Sequence, residues 1–561
     1  MRYHSSPMSN GNSSDRLDSW KEIASFLRRD VRTVQRWEKK EGLPVHRHQH
    51  DKLGSVYAHR PELEAWFSGR QFAAAAGGAQ ARPAEKIKIA VLPFTTLGSD
   101  ADQDAYFTDG LTDEMITQLT RLQPEQLAVI ARSTVLDYNS SRQSLEQMRE
   151  ELGVDYVLEG RVRRAGSRVR VTATLSEVQD QTQLWAESYE REISDVLGLQ
   201  AEIAQAIARE IHLALGLTES TRLESLQKGQ VRIRPDAYDA YLKARYELHE
   251  MKPASLLSSA TDFERAIELA PDFAPAYSGL ASACALLAIA PFDLLPPREA
   301  MPRAEKAARK SLELDSALAE AHTALALVNH HYHWRWADAE TNYRRAIALT
   351  PDNSSAHLWY SWLLLALGRR QEAFAEIEET MRIVQETDPR RLVAVHATRA
   401  FAYYFGREFE RAAQECEKAL QLDSQHFMLH FILGRACMRM GDSRRAIAEL
   451  KAASTAPGEI PLVDAALGLA YAVSGEREET QRMAEQLKAV FTKRYIPPTY
   501  FGMLYAGLGD RERAMAWLEK ALAERADGLT WLAVEPMLDE MRSDYRFQEL
   551  IKKIGLPNVS P

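Results

Sequence analysis

Five glycines recur through the second half of the chain at nearly constant intervals: Gly368, Gly406, Gly441, Gly475 and Gly509 stand 38, 35, 34 and 34 residues apart. Each falls in a turn-like stretch such as "LALGRRQEA" or "AGLGDRERA". The runs between them carry apolar residues at helical spacing. A unit of two helices repeated at this interval cannot bury its apolar face alone, so successive units must stack into a solenoid. The segments "FERAIELAPDFAPAYSGLA", "YRRAIALTPDNSSAHLWYS" and "CEKALQLDSQHFMLHFILG" align on one pattern: aromatic or Cys, then Ala, then Pro or Ser, then a new helix.

With Leu-Gly or Leu-Ala in the first helix, Ala in the second and Pro at the joint, the unit resembles the tetratricopeptide repeat. The resemblance spans residues 237–530, about eight repeats. It implies an α-solenoid whose first helices line a groove for a protein or peptide partner. His322, His357, Tyr360 and His430 occupy first-helix positions that either line that groove or pack. "APFDLLPPREAMP" reads as an insertion, and Thr480 stands where the pattern has Ala. "NHHYHWRW", from Asn329 to Trp336, falls between two repeat helices and is assigned to packing and to the solenoid surface. Residues 531–561 depart from the pattern and are expected to cap the solenoid.

Charge divides the chain differently. The net formal charge is -9, yet residues 1–70 hold 13 Lys/Arg against 9 Asp/Glu, a balance of +4 that leaves -13 for the rest. A basic head on an acidic body implies that the head alone meets a polyanion. Residues 1–16, rich in Ser, Asn and Gly, are expected to be a disordered tail. Residues 71–85 read as an Ala/Gly/Pro linker. Between them lies a head of residues 17–70.

In that head, Ser19 with Glu22 three residues on forms a capping box, and Trp20, Ile23, Ala24 and Leu27 follow i, i+3, i+4, i+7. Asp30 caps a second helix with Val31, Val34 and Trp37 on one side and Arg32, Gln35, Arg36 and Lys39 on the other. "VHRH" and "SVYAH" alternate around "QHDKLG", predicting a hairpin, and Pro61 opens a further helix with Leu63, Trp66 and Phe67 available to pack back. Two short helices at turn spacing have the dimensions of a helix-turn-helix. Arg and Gln can bond base edges bidentately, while Lys39 and Lys40 suit phosphates. The bland alternative is the solvated face of a helical hairpin.

The stretch from "SWKEIASFLRRDVRTVQRWEKKEGLPVHRH" to "GSVYAHRPELEAW" resembles the winged helix-turn-helix of the excisionase and MerR-like class. The resemblance implies that Arg32, Thr33, Gln35 and Arg36 face the bases of double-stranded DNA. It places Lys39, Lys40, His46, Arg47 and His48 toward the backbone or minor groove. On a strand, His46, His48 and His50 fall about 6.6 Å apart on one face. That is too wide for a three-nitrogen zinc site without a bend, so no metal is expected.

Residues 86–216 alternate strand-like and helical runs. "IKIAVLPF" and "LAVIA" read as buried strands, "LTDEMITQLTRL" and "SLEQMREELG" as helices, and "VDYVLEGRVRRAGSRVRVTATLSEV" as two strands around Ala165-Gly166-Ser167. A last helix is expected from Ile193 to Leu215. The order predicts a compact α/β domain with a mixed sheet, joined to the repeats by a connector at 217–236. Through "AVLPF", "YFTDGLTDE" and "YVLEG", this region resembles the N-terminal domain of the TolB family. Related copies occur in bacterial signalling proteins, after a cyclase or DNA-binding domain and before tetratricopeptide repeats. Asp109, Asp113 and Glu114 are expected at a helix N-terminus, which favours acidic side chains.

No P-loop, G-x-G-x-x-G, G-x-S-x-G or H-E-x-x-H occurs, so neither catalytic residues nor a cofactor are expected. No cyclase domain precedes the α/β segment, which argues further against an enzyme. Absence of a secretory h-region or a long apolar run, with three dispersed cysteines, predicts a cytoplasmic chain without membrane contact. The whole reads as a mainly α multidomain regulator of transcription that binds duplex DNA and, through its repeats, a protein partner. One head buries little surface, so a homodimer is expected. The competing reading is a non-enzymatic scaffold whose head docks protein.

Overall fold

The computed structural model describes residues 16–26, 34–35, 38–39, 43–47 and 56–63 of the head. It then describes 86–96, 105–122, 127–130, 134–135, 145–165, 168–192, 199–200, 202–204 and 206–207, and everything from 233 to 557 except 389–390, 456–459 and 493. Two compact units result, one holding residues 1–85 and the other beginning at Lys86.

The head unit contains the helix Trp20–Phe26 and three short strands, β1 (Arg16–Leu17), β2 (His46–Arg47) and β3 (Val56–His59). β3 lies between the others, antiparallel to both, with Arg16 opposite His59 and His46 opposite Tyr57. β1 was not legible in the sequence, because two residues carry no periodicity. Ile23, Val34, Leu43, Val56, Ala58 and Leu63 are buried together. The first helix, segment 34–35 and the sheet thus share one small core.

In the second unit the sheet runs β6 (Leu127–Ile130), β4 (Ile87–Val91), β7 (Tyr156–Ala165), β8 (Arg168–Glu177) and β9 (Thr182–Glu192). β5 (Thr95–Thr96) pairs with β7. β4 is parallel to β6 and β7, and the β7–β8–β9 meander is antiparallel, so the sheet is mixed. Alternation places Ile89 and Val91 in the core with the helix Ala105–Leu122, and Ala90 in the one with Met148 of Leu145–Leu152. β4 stops at Val91, short of the Phe94 expected from sequence. Pro93 lacks the donor a ladder needs, and Phe94 turns into the core over Gly160, where a Cβ would lie 2.3 Å from its ring.

Eight helix pairs follow among the described residues, from Pro235–Glu250 with Pro253–Leu269 to Pro498–Gly507 with Arg511–Glu524. Gly368, Gly441, Gly475 and Gly509 take φ of 71–85° at their turns. Glycine enters this left-handed region without the Cβ penalty. Gly406 differs: its φ is -82°, and Arg407 takes the left-handed conformation instead. The turn therefore sits one residue later than the glycine spacing indicates. A Cβ on Gly406 would collide with the Arg370 guanidinium, so this glycine makes room for a side chain. Thr480, where Ala was the pattern, is fully buried and satisfies its hydroxyl on the Glu476 carbonyl at 3.0 Å.

The α/β layer and the first repeats share one apolar core. Asp109, Asp113 and Glu114 are not at a helix start, because the helix begins at Ala105. Glu114 instead pairs with Arg245 at 2.9 Å and accepts from the Tyr241 hydroxyl at 3.3 Å. Gly110 permits the close approach: a Cβ there would sit 2.6 Å from the Leu242 Cβ. Cys284, Cys416 and Cys437 are buried free thiols, and burial pushes Cys284 up to about 11. No described helix is long and apolar enough to cross a membrane.

Candidate nucleic-acid interface

The first helix of the head starts where the sequence places it. The Ser19 hydroxyl accepts the Glu22 amide at 3.2 Å, and the Glu22 carboxylate reaches back to the Asp18 amide at 2.9 Å. That return bond lands one residue before the usual capping-box position, so one orphan donor of the helix, the Glu22 amide, is satisfied and the residue before the cap is tied to the first turn. With the helix start fixed, Ile23 and Ala24 turn inward onto Val56 and Ala58 of β3.

Of the nine residues expected to touch DNA, Gln35, Lys39, His46 and Arg47 are described; Arg32, Thr33, Arg36, Lys40 and His48 lie outside the described residues. Gln35 and Lys39 are on helical backbone, Gln35 half-buried and Lys39 exposed. Val34 beside them is fully buried, as the inward side of the expected helix requires. Arg47 bonds Glu38 at 2.7 Å, tying β2 to the segment that carries Lys39. His46 meets Glu62 at 2.7 Å through Nε2.

Three residues missed in the sequence join His46 on one face of the sheet. Tyr57 stacks on His46 with ring centroids 5.1 Å apart, His59 lies edge-on to Tyr57 at 5.6 Å, and the Arg16 guanidinium sits 4.1 Å above the Tyr57 ring. The strand period of two was the available signal: Val56 and Ala58 point in, so Tyr57 and His59 share the outer side. Arg16 had no such signal, since its place follows from pairing with His59. The result is a surface of one guanidinium, two imidazoles and a phenol ring, in which Arg16 also bonds Asp18 through Nε at 2.7 Å and Tyr57 is covered by Arg16 and His46.

Against known proteins, the chain is 34% identical over 195 residues to putative adenylate cyclase 3 of Rhizobium meliloti, covering 35% of this chain and 32% of that one. It is 25% identical over 347 residues to the transcriptional regulator HilA of Salmonella typhimurium, covering 62% of this chain and 58% of HilA. The chain therefore spans about a third of one relative and under three fifths of the other. Among solved structures, pilF of Pseudomonas aeruginosa aligns at a TM-score of 0.30 and 20% identity, over 39% of this chain and 92% of that one. Residues 501–527 match a tetratricopeptide repeat. Residues 85–206, the α/β region, match the second domain of HilA/YgeH-like transcriptional regulators.

Proposed function

We propose that the protein is a sequence-specific DNA-binding regulator of transcription, in which residues 17–70 form a winged helix-turn-helix and the repeats bind a protein partner. The observation that carries this is the head's outer surface, where Arg16, His46, Tyr57 and His59 gather cationic and aromatic side chains on one face, Arg16 beside Asp18 and His46 beside Glu62. Arg32, Thr33, Gln35 and Arg36 read base edges, while Lys39, Lys40, His46, Arg47 and His48 hold backbone or minor groove. Similarity to a regulator across the α/β region and beyond supports the reading. The protein works in the cytoplasm as a non-enzymatic homodimer with two heads per site, and its TolB-like α/β layer serves as spacer or sensor.

The test is selection of bound sequences from random duplexes with the full chain, followed by a salt series. Affinity for the selected site falls steeply with salt, and Arg32→Ala with Arg36→Ala removes the site preference. Preference unchanged in that double variant would sink the reading. A second reading, a head that docks protein, is favoured by the internal pairing of His46 with Glu62 and Arg47 with Glu38. An acidic peptide that displaces duplex DNA from the chain decides for it.

A further inference from the structure

The sequence assigns the C-terminal stretch to capping the end of the solenoid. Beyond that expectation, residues 527–541, after the last repeat helix, run along the first helices of four consecutive repeats. His331, at the end of the first of these helices, meets the buried Asp527 carboxylate at 2.5 Å. Trp531 stacks on Phe405, centroids 5.4 Å apart and planes 8° off parallel, with Trp362 edge-on at 5.3 Å. Glu535 accepts from the Tyr404 hydroxyl at 3.0 Å and pairs with Arg435 at 2.5 Å. The side chains of that ion pair are 8% and 6% exposed. Asp539 completes the line on Arg407 at 2.7 Å.

An arginine as buried as Arg435 is an uncompensated charge without a carboxylate beside it. This face is therefore built around an acid. The ring contacts on Trp531 add an indole site beside it. We infer that the first-helix face of the repeats is a recognition surface for a peptide bearing an indole, a carboxylate four residues on and a second carboxylate four further, and that the chain's own segment fills it in cis. This rests on the proposal that the repeats bind a protein partner and specifies that partner's chemistry: to use this face it must present the same pattern and replace the segment. The DNA-binding result bears on neither part.

The test uses the full chain and a fluorescent peptide of residues 527–541. The wild-type chain shows no binding at micromolar peptide, whereas Trp531→Ala with Glu535→Gln, which loosens the resident segment, binds it at least tenfold more tightly. Adding Arg435→Met abolishes that gain, as does a peptide carrying Glu535→Gln and Asp539→Asn. Equal binding by the wild type and the loosened variant, or none by a loosened variant that circular dichroism shows folded, overturns the inference. Should that variant unfold, hydrogen exchange on the wild type decides: amides of 529–541 protected as strongly as those of Leu392–Phe405 support cis occupancy, and exchange within seconds overturns it.

Discussion

The imidazole of His357 bridges two acceptors, meeting Glu376 through Nδ1 at 2.5 Å and the Pro351 carbonyl through Nε2 at 2.9 Å. The arrangement recurs along the solenoid: His430 joins Glu449 and the Ser424 carbonyl, His322 joins Asn342 and the Ser316 carbonyl, and His396 joins Glu415. Each histidine fastens the first helix of a repeat to the second. The sequence left His322, His357 and His430 open between groove and packing, and both ring nitrogens of each are engaged within the repeat. Tyr360 is likewise held by Glu340 and Arg344.

With a carboxylate and a carbonyl as its partners, the His357 ring satisfies both only when doubly protonated. Burial works against the charged ring, but Glu376 and the Pro351 carbonyl outweigh it and raise its pKa above the ordinary value. The stabilisation is therefore complete below the unfolded value of about 6.5 and is lost as pH rises through the higher folded value. His357→Gln is expected to destabilise the chain by about 1.5–3 kcal/mol at pH 6. Urea melts at pH 6 and 8 check this, and the gap between variant and wild type narrows at the higher pH.

Removing one member of the Glu114–Arg245 pair leaves a buried charge alone. Arg245→Met is expected to cost about 3–5 kcal/mol, read from chemical denaturation. Glu114→Leu in the same chain restores most of that loss. If the double variant is as unstable as the single one, the ion pair is not the cause.

Gly110→Val drives a side chain into Leu242, whose Cβ is too close to the main chain to swing aside. A loss of about 1–3 kcal/mol is expected. Gly441→Ala meets no neighbouring atom within 4 Å but keeps a φ of 85°, so its penalty is backbone strain alone, about 1–2 kcal/mol.

Two head variants separate folding from contact. Ile23→Ala, at a fully buried site, is expected to cost about 2–5 kcal/mol and to remove DNA binding together with the head's structure. Lys39→Ala leaves the head folded and weakens every duplex alike, lowering the salt slope by about 1. Loss of sequence preference in Lys39→Ala would contradict its assignment to phosphate.

What the sequence carried plainly was periodic. The glycine turns, the alternation of β3, the apolar run of β4 and the Ser19 cap each depend on residues within a few positions of one another. What it hid was long-range. Glu114 acquires its meaning from Arg245, and Glu535 from Arg435, partners that no local pattern joins. Gly406 shows the middle case: its spacing marked the repeat, but Arg407 takes the turn, because the glycine is needed where Arg370 passes. In the head, the described candidates divide into the exposed Lys39, the half-buried Gln35 and the internally paired His46 and Arg47. Charge pattern counts cations but cannot tell which ones their neighbours neutralise.

The shared core of the α/β layer and the opening repeats limits how this protein can be divided. Cut before Pro235, the repeat array would carry Tyr238, Leu242 and Arg245 on its first helix, turned from packed surface into a sticky, charged front. Cut on the other side, the sheet would lose the helix that covers Phe107 and Leu111. Neither half would keep its packed surface alone, so from Lys86 onward the α/β layer and the repeats are expected to unfold together rather than apart.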